Sequence, residues 1–171
     1  TVINVLPVEQ YLYGVVPYEI SDSWPLEVLK AQTIAARTYA VSSMSTSSSF
    51  DVHDTDSSQV YYGYDASKAN AIQAVNATKG KVLKYGSSFA QCYYSSSNGG
   101  MIESTKNAWG GSLAYSVVKA DPYDVRNPSN PNATWTVSFT KSPVNASLQS
   151  QLKPYLKSKL DARGYKSGDN D

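Results

Sequence analysis

Glu19 is the carboxylate with the most suggestive surroundings in this sequence. It stands in GVVPYEIS, residues 14–21, with Val15, Val16 and Pro17 before it and Tyr18 and Ile20 on either side. A solvated carboxylate needs no such neighbours, whereas burial against apolar groups keeps a carboxyl group protonated as an acid. That chemistry suits a glycosidic bond, whose oxygen leaves poorly until it is protonated. An ordinary glycosidase also needs a second carboxylate as base or nucleophile. No partner is evident: Asp22 and Glu27 fit a helix cap and a helix surface, and Glu103 is far off in sequence. A lytic transglycosylase escapes the requirement, because the sugar's own 6-hydroxyl attacks and one Glu serves as acid and then base. The alternative for these residues is a partly buried surface Glu capping the next helix.

Other chemistries fit less well. His53 is the only histidine and no G-x-S-x-G turn occurs, so nothing asks for a Ser-His-Asp hydrolase. The acidic DVHDTDSS, 51–58, read as a calcium loop from Asp54, has Gln59 where glycine belongs and Asp65 where a bidentate Glu belongs. No metal site and no cofactor is expected.

These residues need elements to hold them. Pro7 opens a short helix to which VEQYLYGVV gives an apolar side and which Gly14 and Pro17 break, leaving Tyr18-Glu19-Ile20 on a turn. Ser21, Asp22 and Ser23 offer caps and Pro25 a first turn for Leu26–Ser42, the strongest helix pattern in the chain. Val28, Leu29, Ala35, Ala36 and Tyr39 share one arc of it, with Lys30, Thr33, Arg37 and Thr38 broadly opposite. Gln32 falls within the apolar arc, where its amide either braces the core or reaches a site. Residues 2–6 and QVYY, 59–62, read as strands, and Asp65 as the cap of a helix over 66–78. KVLKYGSSFAQCYYS reads as a hairpin turning near Gly86 and delivering the chain into SSSNGG, 95–100. NAWGG, 107–111, reads as a turn and WTVSF, 135–139, as a strand. Leu148, Leu152, Leu156 and Leu160 suggest a last helix, interrupted by Pro154.

The 171 residues are 41% hydrophobic and 17% charged, enough for one domain with a core, with or without a tail. A net charge of +1 gives no field favouring nucleic acid or an anionic membrane. Abundant Tyr and Ser suit contact with a neutral polymer such as a glycan. The single Cys92 rules out a disulfide within the chain. No stretch of about 18 apolar residues occurs, so membrane attachment would come only through a segment outside these residues.

Three blocks carry a resemblance. LPVEQYLYGVVPYEISDSWPLEVLKAQTIAARTYA, 6–40, resembles the catalytic signature of the stage II sporulation protein D family, which includes proteins described as amidase enhancers. FDVHDTDSSQVYYGY, 50–64, and YYSSSNGGMIESTKNAWGG, 93–111, resemble its later blocks in the same order. The resemblance implies an α+β fold, with buried helices packed on a small, mostly antiparallel sheet. Residues 1–140 would be the catalytic domain, and 141–171 a helical extension or the remainder of that domain. It implies a lytic transglycosylase of bacterial peptidoglycan acting on peptide-stripped strands outside the cytoplasmic membrane, with a cell-wall amidase as a possible partner. The family's catalytic Glu falls on Glu19. Lys30, Gln32, Arg37, Gln59, Tyr61, Ser95, Ser97, Asn98, Gly99 and Trp109 would bind substrate, Arg37 through sugar hydroxyls or an acetamido carbonyl and Trp109 by stacking. Two departures stand out. Some members hold zinc through two Cys where this chain has His53 and Ser58, and some have His where it has Ser95. A glycan-binding module that stimulates an amidase, and a structural part of a cell-wall machine, are the competing readings.

Overall fold

The computed structural model describes residues 2–132 and 136. The expected strand over 135–139, Thr136 apart, and the expected leucine-spaced helix lie outside the described residues.

The chain starts with α1 (Val8–Tyr13), α2 (Val16–Glu19) and the 18-residue α3 (Leu26–Ser43). Then come α4 (Ala69–Ala77), β1 (Lys84–Tyr85), β2 (Ser88–Phe89) and β3 (Met101–Ile102). Last are α5 (Thr105–Trp109), β4 (Lys119–Ala120) and α6 (Pro122–Arg126). The fold is α+β. Among the described residues its strands form two separate antiparallel pairs, β1 with β2 and β3 with β4, and the eight residues of these strands are exposed. The first pair turns at Gly86, φ 61°, as its residue type suggests.

The core is therefore helical. Leu12, Val15, Val16, Leu29, Ala36, Ala71, Ala74 and Val75 are fully buried where α1, α2, α3 and α4 meet, and Tyr11, Ile20, Tyr61 and Tyr94 pack against them. The buried stripe of α3 differs from the apolar arc read from sequence: it runs Leu29, Thr33, Ala36, Arg37, Ala40, while Val28 is 39% exposed. Small and polar residues can line this seam because their polar atoms are satisfied. The Thr33 hydroxyl donates to the Leu29 carbonyl at 2.7 Å, and Thr38 to Ile34 at 2.6 Å.

Other local expectations shift for identifiable reasons. Residues 2–6 form no strand, and Val2 and Val5 are exposed. Asp22 does not cap α3, which starts behind Pro25; its Oδ1 accepts from the Ala71 N–H at 2.7 Å, in the first turn of α4. Asp65 is spent on the Ser67 N–H in the turn before, so α4 begins at Ala69 rather than Ala66. NAWGG is the end of α5, which Ser104 caps and Gly110 terminates at φ 83°. Residues 59–62 pair with no strand among the described residues, but their N–H groups go to different partners in turn: Tyr61 donates to the Asp54 carbonyl, Tyr62 to the Gly14 carbonyl.

Candidate functional site

Glu19 ends α2 and is half-buried. Its Oε1 accepts a hydrogen bond from the backbone N–H of Val60 at 2.8 Å. The apolar dipeptides do not wrap the carboxyl, because Val15 and Val16 are fully buried in the helical core. Phenols attend it instead. Burial pushes the Tyr11 and Tyr94 phenols well above the usual range, and the negative charge of Glu19 adds to the shift in both.

Gln59 organises these phenols. It is fully buried, and its carboxamide Nε2 donates to the Ala36 carbonyl and to the Tyr94 hydroxyl, both at 3.1 Å. Its Oε1 accepts from the Tyr11 hydroxyl at 3.1 Å. Tyr11 in turn stacks on Tyr61, ring centroids 5.5 Å apart and planes 14° from parallel. Gly14 makes that stack possible: a Cβ there would lie 2.5 Å from the Tyr61 ring. Of the residues expected to bind substrate, Gln59 and Tyr61 thus stand with Glu19, as its support.

Arg37 lies elsewhere. It is 1% exposed, and all five of its N–H groups are committed within the protein. Nε and one terminal nitrogen grip both oxygens of Glu9, at 3.1 and 2.8 Å. The rest go to Val75, Thr78 and Lys81. This corrects the expected sugar contact, for no donor is left to make one. Lys30 pairs with Glu27 at 2.6 Å on the surface of α3, and Gln32 is half-buried on the same helix.

The small-residue loop has its own occupant. Asp124 of α6 accepts from the Ser97 hydroxyl at 2.7 Å and from the Asn98 and Gly99 N–H groups at 3.2 and 2.8 Å. Asn130 donates to the other carboxylate oxygen at 2.9 Å, and Asn98 donates to Asp121, also at 2.9 Å. The Ser97 hydroxyl leads the Gly99, Asn98 and Gly100 N–H groups in holding the Asp124 carboxyl below its ordinary range, against the opposing effect of desolvation. Donors that sequence assigned to a glycan are filled by this internal anion. Ser95 is exposed and donates to the Ser97 carbonyl.

A cleft of ≈ 450 Å³ is lined by Tyr39, Tyr93, Tyr94 and Trp109 and by Asp56 and Ser58. Trp109 is 66% exposed and leans on Tyr93 with centroids 4.6 Å apart. Glu19 does not line this cleft; Tyr94 belongs to both. A second cavity of ≈ 500 Å³ lies under residues 2–6, lined by Ile3, Leu6, Phe50 and Tyr61, and it too excludes Glu19. Neither concavity alone is a complete site.

The zinc that the family resemblance implied for some members does not fit the residues at these positions. His53 is exposed, its ring packs on Phe50, and the Ser58 hydroxyl is occupied by the His53 N–H. Among the described residues no group of three His, Cys, Asp or Glu could hold a metal ion.

Sequence reasoning missed Tyr11, Tyr94, Tyr93, Asp121, Asp124 and Asn130. Tyr94 could have been found as the residue that leads into SSSNGG. Asp124 had no local signal, because its partners in the 97–99 loop lie 25 to 27 residues away.

A half-buried carboxylate and two half-buried phenols stand beside an aromatic cleft on a helical α+β domain. Residues 1–85 match the family model described as stage II sporulation protein, and the chain belongs to the stage II sporulation protein D family. It is 42% identical over 84% of its length to the amidase enhancer of Bacillus subtilis, and 29% identical over 72% to that organism's stage II sporulation protein D. An uncharacterised protein of Brachyspira hyodysenteriae is 38% identical over 67% of the chain. The chain spans 19%, 41% and 32% of those three proteins respectively.

Proposed function

We propose that this domain is a peptidoglycan lytic transglycosylase. It cleaves the MurNAc–GlcNAc bond of glycan strands, those stripped of stem peptides above all, and leaves 1,6-anhydro-MurNAc ends. Glu19 protonates the departing glycosidic oxygen and then takes the proton from the MurNAc 6-hydroxyl as that oxygen closes on C1. No water is consumed and no cofactor enters. The observation that carries the reading is the state of Glu19: the Val60 N–H fixes one oxygen, and Oε2 has no hydrogen bond among the described residues. The three carboxylates weighed from sequence as a second catalytic group are engaged elsewhere. Asp22 caps α4, Glu27 pairs with Lys30, and Glu103 accepts from Ser104 and Asn107. Trp109 and Tyr93 offer ring faces to sugar C–H groups in the adjoining cleft. Such an enzyme works at the bacterial cell wall, outside the cytoplasmic membrane.

A second reading has its own support in the 42% identity to an amidase enhancer. In it the cleft binds glycan and positions a cell-wall amidase without cutting. Digestion of peptide-free strands by the wild type and Glu19→Gln, read by mass spectrometry, separates the two. Anhydro ends from the wild type alone are expected. Hydrolysed reducing ends would refute the single-carboxylate mechanism, and binding without cleavage by either protein would favour the second reading.

A further inference from the structure

The segment that follows Gln59 carries aromatic side chains with no part in the chemistry at Glu19. Val60 and Tyr62 both donate their N–H groups to the stretch that runs from α1 into α2, Val60 to Glu19 Oε1 and Tyr62 to the Gly14 carbonyl at 3.1 Å. Tyr61 turns inward onto Tyr11, whereas Tyr62 is 74% exposed and Tyr64 is exposed as well. Neither outer ring stands alone. Tyr18, the residue before Glu19, meets Tyr62 edge to face with centroids 5.0 Å apart, and Tyr13 meets Tyr64 in the same manner at 6.0 Å. Tyr13 is fixed in turn, because its hydroxyl donates to Asn76 Oδ1 at 2.7 Å. Two exposed rings are thus braced by two half-buried ones.

Charge and chain order narrow what this surface can hold. Residues 10–18 and 57–64 contain no Asp, Glu, Lys, Arg or His. Uncharged phenol rings suit the C–H faces of sugars better than they suit an ionic ligand. The Gln59 side chain binds Tyr94 of the Trp109 cleft, the Val60 N–H binds Glu19, and the Tyr62 ring meets Tyr18. Cleft, carboxylate and braced rings therefore follow one another between residues 59 and 62, within at most about 10 Å of main chain. Resting on the glycan reading of Glu19, we propose that the Tyr18–Tyr62 and Tyr13–Tyr64 pairs are a second sugar-stacking platform. A strand that lies against the Trp109 cleft continues past Glu19 onto these rings, so that the bond to be broken is held on both sides.

The test is binding of peptide-free glycan strands to Glu19→Gln protein, in which cleavage is removed. In that background Tyr62→Ala should weaken binding roughly tenfold, the scale of one aromatic contact, and Tyr62→Phe, which keeps the ring, should stay within about twofold. Tyr85→Ala is the control: Tyr85 on β1 is also exposed and has its own aromatic neighbour, Tyr115 at 5.1 Å, and its loss should leave affinity unchanged. With no substitution at the platform, the Tyr62 and Tyr64 ring resonances should shift as strands are added. Unshifted resonances with strands bound, or equal affinity of Tyr62→Ala and Tyr85→Ala, would overturn the proposal and leave the rings to a protein partner. A loss in Tyr62→Phe as large as in Tyr62→Ala would overturn stacking as the source of affinity. Turnover with Glu19 intact is read separately. Strands bound through Tyr62 but never cut would end the transglycosylase reading and leave the platform standing, whereas normal cutting by Tyr62→Ala with unchanged KM would end the platform alone.

Discussion

Replacing Arg37 by Met is the sharpest test of how this domain is held together. The change keeps an unbranched side chain of similar reach but removes the guanidinium. Glu9, 20% exposed as a side chain, then keeps only the Gly80 N–H at 3.1 Å, and the Val75 and Lys81 carbonyls lose a donor. Removing one partner of a buried pair costs about 3–5 kcal/mol. The partial exposure of Glu9 argues for about 3, and at about 3 °C per kcal/mol for a domain of this size the melting temperature should fall by about 10 °C. The acid limb carries a second signature. Burial alone would raise the Glu9 carboxyl, but the Arg37 guanidinium, the Gly80 N–H and Lys79 together hold it below its ordinary 4.5. A carboxyl depressed in the folded state contributes stability that is present above the unfolded value and lost as pH falls through the folded one. Wild type should therefore lose stability as pH drops below about 4.5, and Arg37→Met should show a shallower loss over the same window. Thermal melts between pH 7 and about 3 measure both effects. An unchanged melting temperature combined with weakened glycan binding would refute the structural assignment and return Arg37 to the substrate.

Two further outcomes are expected. Gly14→Ala should destabilise by about 1–3 kcal/mol in chemical denaturation, because its Cβ meets the Tyr61 ring at 2.5 Å and the Gly63 backbone at 3.0 Å; full stability would mean that the Tyr11–Tyr61 stack shifts freely. Asp124→Asn should expose the 95–100 loop to limited proteolysis without lowering the melting temperature of the helical core, and wild type should show the same sensitivity once pH falls below the depressed Asp124 value; a loop equally resistant in both proteins would refute the clasp.

What was legible in sequence was what depends on neighbours in the chain. The 26–43 helix, the hairpin at Gly86 and the break at Gly14 follow from periodicity, from glycine's tolerance of positive φ and from proline's missing donor. Glu19 was singled out for its apolar neighbours, yet those face the core and the groups beside the carboxyl come from residues 11, 60 and 94. Arg37 shows the same limit. The family resemblance offered it as a sugar contact, but the arrival of Glu9 from α1 and of residues 75–81 makes its surroundings an interior. The SSSNGG loop was expected to turn its donors to a glycan, and those of Ser97, Asn98 and Gly99 go to Asp124 instead. Its acceptor sits in a segment whose composition gave no hint of it.

The contact that orients Glu19 is made by main chain, and this sets which substitutions the site tolerates. Any residue but proline carries the N–H that reaches Oε1, so the side chain at position 60 can drift in size and polarity without releasing the carboxylate. The burden falls on its neighbour: only a carboxamide at 59 offers two hydrogens and an acceptor in the directions that Ala36, Tyr94 and Tyr11 require. Adjacent positions in one dipeptide thus carry unequal information, one nearly free to vary and the other fixed in chemical type.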